Sequence, residues 1–319
     1  MSYAFETLNT RKHYITLKDF SLESGKISFN YLQKVAGMLQ AVAGGSLRIV
    51  IEGISSKKGP KPEWLEKAID FQLSGIRKGS TDLEIEAPLL RDAMELQQIP
   101  LFRRSPESLQ HYSGIDIAME GFSQAFDPEE NNDDLLDKHL LGEMRKYRSL
   151  FKDTKSSIVI SGAVKKGILR IGRQSFEQIK QLEAKTPPSA KARITGVLDL
   201  MQYSKDLLQI NTGKGVVRAL LTSDISFGKI SEFFGKKVMV EGLANYKPSG
   251  SISAVEVSGI RLATEADRWY ETPHSAIREQ LDITELRAKQ KYEGLSLEKI
   301  IGQWPGDESI EELLEMRKK

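Results

Sequence analysis

A chain of 319 residues with 39% hydrophobic and 28% charged side chains has the balance of a folded globular protein, with room for two or three cores. Its net charge of +2 gives no global field of the kind that marks strong nucleic-acid or membrane binders, and the lack of cysteine removes disulfides, thiolate nucleophiles and Cys-ligated zinc. The first ten residues carry Glu6 and no apolar run, and no window approaches the roughly 18 consecutive apolar residues of a membrane span, so the expectation is a bacterial-type cytoplasmic protein.

Residues 14–20 (YITLKDF) alternate with period two, as a half-buried strand does. From 28 to 43, Phe29, Leu32, Val35, Ala36, Leu39, Val42 and Ala43 form a helical stripe, which Gly44-Gly45 is expected to stop. Residues 46–54 (SLRIVIEGI) then predict a strand, 55–62 a basic loop and 63–67 a helical turn. Two more strands, 68–76 and 81–87, are joined through Arg77-Lys78-Gly79-Ser80. Residues 1–90 thus predict a small α+β domain of order β-α-β-β-β.

Residues 91–155 predict a helical hairpin. Ser105 and Pro106 suit the start of its first helix, on Leu109, Tyr112, Ile115, Ile117, Met119 and Phe122. An acidic run precedes the second, which begins near Asn132 and carries Leu135, Leu136, Leu140, Leu141, Met144, Tyr147 and Leu150. Residues 156–189 predict a strand pair (157–161 and 168–172) and an amphipathic helix on Phe176, Ile179 and Leu182, broken by Thr186-Pro187-Pro188.

Residues 190–263 read as three strands, a helix near 225–234 and two further strands, which is the element order of an OB-type barrel. Phe227, Phe233 and Phe234 are expected to plug it. From 264 to 319 the chain turns helical and charged, and Ser309 with Glu312 forms a capping-box pair. The expected architecture is α+β and multi-domain, ending in an OB-like small barrel and a helical C-terminal tail.

No catalytic signature accompanies this organisation. His13, His111, His139 and His274 are scattered and fit no metal-ligand spacing, so each reads as a surface or boundary residue. Thr212-Gly213-Lys214-Gly215 has the letters of a phosphate loop but the length of a hairpin turn. There is no G-x-S-x-G elbow, and Asp133-Asp134 and Glu311-Glu312 are neighbours that diverge on a helix. The expectation is a protein without catalytic residues, metal or cofactor, with a metal-dependent nuclease as the third reading. The second is single-stranded nucleic-acid binding by the barrel. OB folds use two loops for this, and here they offer Tyr203 with Lys205 and Tyr246 with Lys247, with Arg218 and Arg193 near the groove.

The first reading comes from the tail. Leu297-x-x-Ile300-Ile301-Gly302-x-Trp304-Pro305-Gly306-Asp307-Glu308-Ser309-x-Glu311-Glu312-Leu313-Leu314 resembles the C-terminal tails of bacterial antitoxins paired with PIN-domain ribonuclease toxins. The resemblance covers about 25 residues. It implies that Trp304, Ile310, Leu313 and Leu314 anchor the tail on the toxin, and that Arg317, with Lys318 as the alternative cation, enters the acidic metal site. A guanidinium suits that role because its planar fork pairs carboxylates bidentately. Such antitoxins are usually short and begin with a DNA-binding dimerisation motif, which the preceding 290 or so residues do not display.

Overall fold

The structure is a computed structural model, and it describes residues 9–18, 20, 26–57, 59–77, 81–94, 109–127, 135–162, 167–203, 206–222, 225, 227–273 and 276. Several expectations fall outside these residues. They include the helix start at Ser105-Pro106, the start at Asn132, the turn residues 78–80, His274 and everything from 277 to 319.

Strand β1 (Thr10–Lys18) follows the predicted alternation, with His13, Ile15 and Leu17 buried. The next element does not. Helix α1 (Phe29–Glu52) runs without a break through Gly44-Gly45 and takes in most of the segment predicted as a strand. Nearly every side of its second half is buried, from Val42 to Ile49 and again at Ile51 and Glu52. An apolar run buried all round has no helical period to detect, and its β-branched residues then mimic a strand. The glycines serve packing rather than termination. A Cβ on Gly45 would lie 2.5 Å from a methyl of Leu140. The helix ends at Gly53, whose φ of +86° lets its N–H reach back to the carbonyls of Arg48 and Ile49.

Beyond α1 come α2 (Glu63–Ala68), β2 (Gln72–Arg77), β3 (Thr81–Pro88), the single turn α3 (Leu90–Ala93), α4 (Gly114–Phe126) and α5 (Lys138–Lys146), which tightens into a 3-10 turn at Tyr147–Leu150. Then follow β4 (Ser157–Ser161), β5 (Leu169–Gly172) and α6 (Ser175–Lys185). All five strands form one antiparallel sheet in the order β2-β3-β1-β4-β5. The predicted strand pair β4–β5 is present, but it joins β1. One core therefore runs from Ile15 through Phe122 and Leu140 to Leu182. The boundaries expected at 90/91 and 155/156 fall inside this core. They were drawn where local pattern changes, but the strand partner of β4 is about 140 residues away in the chain. The expected helical hairpin is absent for the same reason: α4 packs chiefly on α1, and α5 on α6 and α1.

Residues 190–262 form a closed five-stranded barrel. Its strands are β6 (Ala190–Gln202), β7 (Leu207–Thr212), β8 (Gly215–Leu221), β9 (Lys237–Tyr246) and β10 (Ile252–Leu262). β6 pairs antiparallel with β7 and β9, β7 with β8, and β9 with β10, while β8 and β10 close the ring in parallel. Thr212 faces Gly215 across a two-residue turn, so the glycine–lysine sequence there is a hairpin. A short helix, α7 (Phe227–Ile230), and a 3-10 turn at Ser231–Phe233 lie between the third and fourth strands. Ile230 is the buried plug, with Phe227 and Phe233 packed beside it. Phe234 was expected to share that role but is 58% exposed, because the chain has already turned toward Gly235.

Candidate functional site

The surface that a binding barrel would offer is shaped first by its neighbour. The outward side chains of β7 and β8 include Leu207, Gln209 and Leu220, and all three are buried. Leu207, Leu220 and Ala254 of β10 pack with Ile54, just past α1, into a small apolar seam. Three polar contacts complete it. Arg218 Nη1 donates to the Ile49 carbonyl at 2.7 Å, Ser253 Oγ to the Gly53 carbonyl at 2.5 Å, and Lys57 lies 3.8 Å from Asp206. A helix leaves its last carbonyls without intrahelical donors, and its C-terminus favours a cation. Arg218 places a cation there and gives the Ile49 carbonyl, which already accepts from the Gly53 amide, a second donor. The chain's own N-terminal half thus covers part of the β7–β8 face, which is the face that OB-type barrels use for single strands.

The residues expected to bind nucleic acid are scattered by this arrangement. Tyr203 is 79% exposed, and its ring meets Phe227 edge-on at 5.2 Å. Lys205 lies outside the described residues. Arg218 is committed to α1. Tyr246 is buried in the barrel core, where burial raises its phenol pKa, and Lys247 is buried as well. Neither is the open ring or surface cation that a stacking loop needs. Tyr246 continues the inward phase of Val238, Val240 and Ala244 along β9, a signal that was legible in the sequence.

The opposite side of the barrel is open. A cleft of about 770 Å³ lies over β6, β9 and β10 and is closed on one side by Tyr270. Arg193 sits in it, 2.6 Å from Glu241 and 5.9 Å from the Tyr270 ring centroid. Lys191 and Glu256 also line it, the latter accepting from Asn245 Nδ2 at 3.0 Å. The 3-10 turn at Glu265–Tyr270 is held by Asp267, which takes both guanidinium nitrogens of Arg261 at 2.7 Å. That pairing, with the Thr264 amide, drives the Asp267 carboxyl well below its usual range. Two cations and two acids leave this cleft near neutrality.

His13 is not the surface residue expected, whereas His139 is exposed as expected. His13 is fully buried because it shares the inward phase of Ile15 and Leu17. Its Nε2 is 2.8 Å from Ser113 Oγ, and Ser113 Oγ donates to Asp116 at 2.9 Å. The Ser113 proton being spent on Asp116, His13 must donate through Nε2, which leaves Nδ1 as a buried acceptor with no partner. Burial pushes the His13 pKa down to about 4, with Asp116 pulling upward and Arg11 downward. Ser113 and Asp116 form the capping box of α4. A hydrolytic triad places the carboxylate on the far nitrogen of the imidazole, and here it binds the serine, so the group caps a helix rather than activating a nucleophile. A second group repeats the pattern. Ser55 Oγ donates to Asp137 at 2.7 Å and lies 3.3 Å from His139 Nδ1, and Asp137 is the N-cap of α5. Among the described residues, no three His, Cys, Asp or Glu side chains gather as metal ligands.

Trp304, Ile310, Leu313, Leu314 and Arg317 lie outside the described residues. No protein family matches the sequence, and no curated protein matches it. Among solved structures, the hypothetical protein ygiW from E. coli is similar over 26% of this chain and 85% of its own, at 14% identity and a TM-score of 0.19, a likeness too slight to carry an argument.

Proposed function

We propose that this chain is a non-enzymatic interaction protein that neutralises a PIN-type ribonuclease through its C-terminal tail. The tail motif around Trp304-Pro305-Gly306-Asp307 supports the reading. The docking of α1 across β7, β8 and β10, through Arg218, Ser253 and the Leu207–Leu220–Ala254 seam, bears on the competing reading instead. It gives the barrel a structural task on the face where a single-strand binder would keep its groove open. Trp304, Ile310, Leu313 and Leu314 would fill apolar pockets of the partner, and Arg317 would pair its metal-binding carboxylates. The test is co-expression of the full chain with a PIN-type ribonuclease, followed by co-purification and an RNA-cleavage assay. Retained cleavage inhibition in a Trp304→Ala, Arg317→Ala variant would refute the anchor assignment.

A second reading, single-stranded nucleic-acid binding by the barrel, draws on its strand pairing and on exposed Tyr203. An oligonucleotide affinity that falls on Tyr203→Ala would favour it over the first.

A further inference from the structure

The net charge of +2 conceals an uneven distribution. Residues 144–173 hold nine Lys or Arg and one Asp, so the rest of the chain is net negative. The structure folds part of this segment around a recess of about 410 Å³, lined by Lys146, Arg148, Ser149, Phe151, Lys152 and Arg173. Four of the six are cations and none is an acid. The barrel cleft, by contrast, balances its cations with Glu241 and Glu256.

The recess is held open by the backbone. The 3-10 turn at Tyr147–Leu150 buries Leu150 and Phe151 and leaves Arg148 and Ser149 outward. Arg173, at the β5–α6 corner, donates to the Lys152 carbonyl at 2.7 Å and so fixes the two rims to one another. Lys146 pairs with the partly buried Glu143 and Arg148 with Glu177, but both cations and Glu177 are exposed, and pairs of that kind yield readily to a stronger anion. Lys155 and Arg170 extend the charge past the recess: Lys155 lies just before Ser157, which pairs with Gly172, and Arg170 bonds the Ser157 hydroxyl. The result is a stripe wider than one small anion needs.

We infer that this stripe binds the phosphodiester backbone of a nucleic acid, with Arg148, Lys152 and Arg173 as the phosphate contacts. Guanidinium and ammonium groups without base-reading side chains between them give sequence-tolerant, salt-dependent binding. The site is on the α+β domain and depends on neither the tail nor the barrel loops.

The test uses the full-length protein with labelled duplex DNA and single-stranded RNA, titrated by fluorescence anisotropy. Binding should weaken steeply with salt, and an Arg148→Ala, Lys152→Ala variant should lose about tenfold in affinity, with the log–log salt slope shallower by roughly 2. Which of the two nucleic acids binds tighter identifies the source of the phosphates. Thermal melting of the variant checks that it remains folded, and Arg148→Lys should restore most of the affinity. Lys191→Ala with Arg193→Ala, in the barrel cleft, should leave it unchanged. No binding at low salt, or an unchanged affinity in the Arg148/Lys152 variant, would overturn the inference. So would equal competition by polyglutamate, since the site would then read charge on any acidic polymer.

Discussion

Arg218 and Ile49 are 169 residues apart in the chain and are joined by a 2.7 Å hydrogen bond from guanidinium to carbonyl. The bond closes the end of α1 and holds the barrel to it. Arg218→Ala removes a charged donor from a partly buried carbonyl, and hydrogen bonds to charged groups contribute about 1.5–3 kcal/mol. The urea midpoint should fall accordingly, or the transition should split as the barrel and the α+β domain unfold separately. Arg193→Ala breaks an exposed pair on the far side and should leave the midpoint nearly where it was. Equal effects from the two variants would mean that Arg218 does no docking.

The neighbouring Gly53 gives a steric version of the same question. At φ +86° a side chain costs roughly 1–2 kcal/mol in backbone strain alone. A Cβ there would also lie 2.8 Å from that of Ala254 and 2.9 Å from the Ser253 carbonyl. Gly235, at φ +72°, has nothing within 4 Å of its absent Cβ. Gly53→Ala should therefore destabilise the protein clearly more than Gly235→Ala. Matched denaturation curves for the two would show that the contact between α1 and β10 can relax.

These contacts explain what could and could not be read from the sequence. The barrel strands were legible as short runs rich in apolar and β-branched residues, several of them bounded by glycine or proline turns at Pro187-Pro188, Gly213–Gly215 and Pro248–Gly250. The inward phase of β1 places His13 inside, and that of β9 places Tyr246 inside. The long helix was not legible, because burial on every side erased the period that distinguishes helix from strand. Nor was the joining of β4 to β1, since the register Tyr14–Ser161 leaves no local mark. The same holds for the commitment of Arg218: a lone arginine on a strand looks alike whether it faces solvent or a helix end.

His13 makes stability depend on pH. Its folded pKa, pushed to about 4 by burial, lies below the unfolded value near 6.5. Between those values the unfolded chain binds the proton and the folded one does not, so stability falls as pH falls. The contribution is fully present above about pH 6.5 and declines toward pH 4, by up to roughly 3 kcal/mol across the window. Urea denaturation at half-unit steps from pH 4.5 to 7.5 measures the slope. His13→Gln should flatten it, and an unchanged slope would assign the dependence to another group.

Asp137 carries the last prediction. Its carboxylate accepts from the Ser55 amide at 2.8 Å, the Ser55 hydroxyl at 2.7 Å and the Leu140 amide at 2.8 Å. It therefore caps α5 and ties it to the loop that leaves α1. Loss of a cap costs about 1 kcal/mol, and an amide left buried without an acceptor adds about 1–3 kcal/mol. Asp137→Ala should lower stability by about 2–4 kcal/mol. Asp137→Asn keeps an acceptor oxygen but sets an amide nitrogen against one of the donors, so it should fall between. Ser55→Ala removes the hydroxyl and leaves the amide bond intact, so it should be the mildest of the three. If Ser55→Ala proves as damaging as Asp137→Ala, then the hydroxyl is the essential link, and its 3.3 Å approach to His139 Nδ1 needs an account other than helix capping.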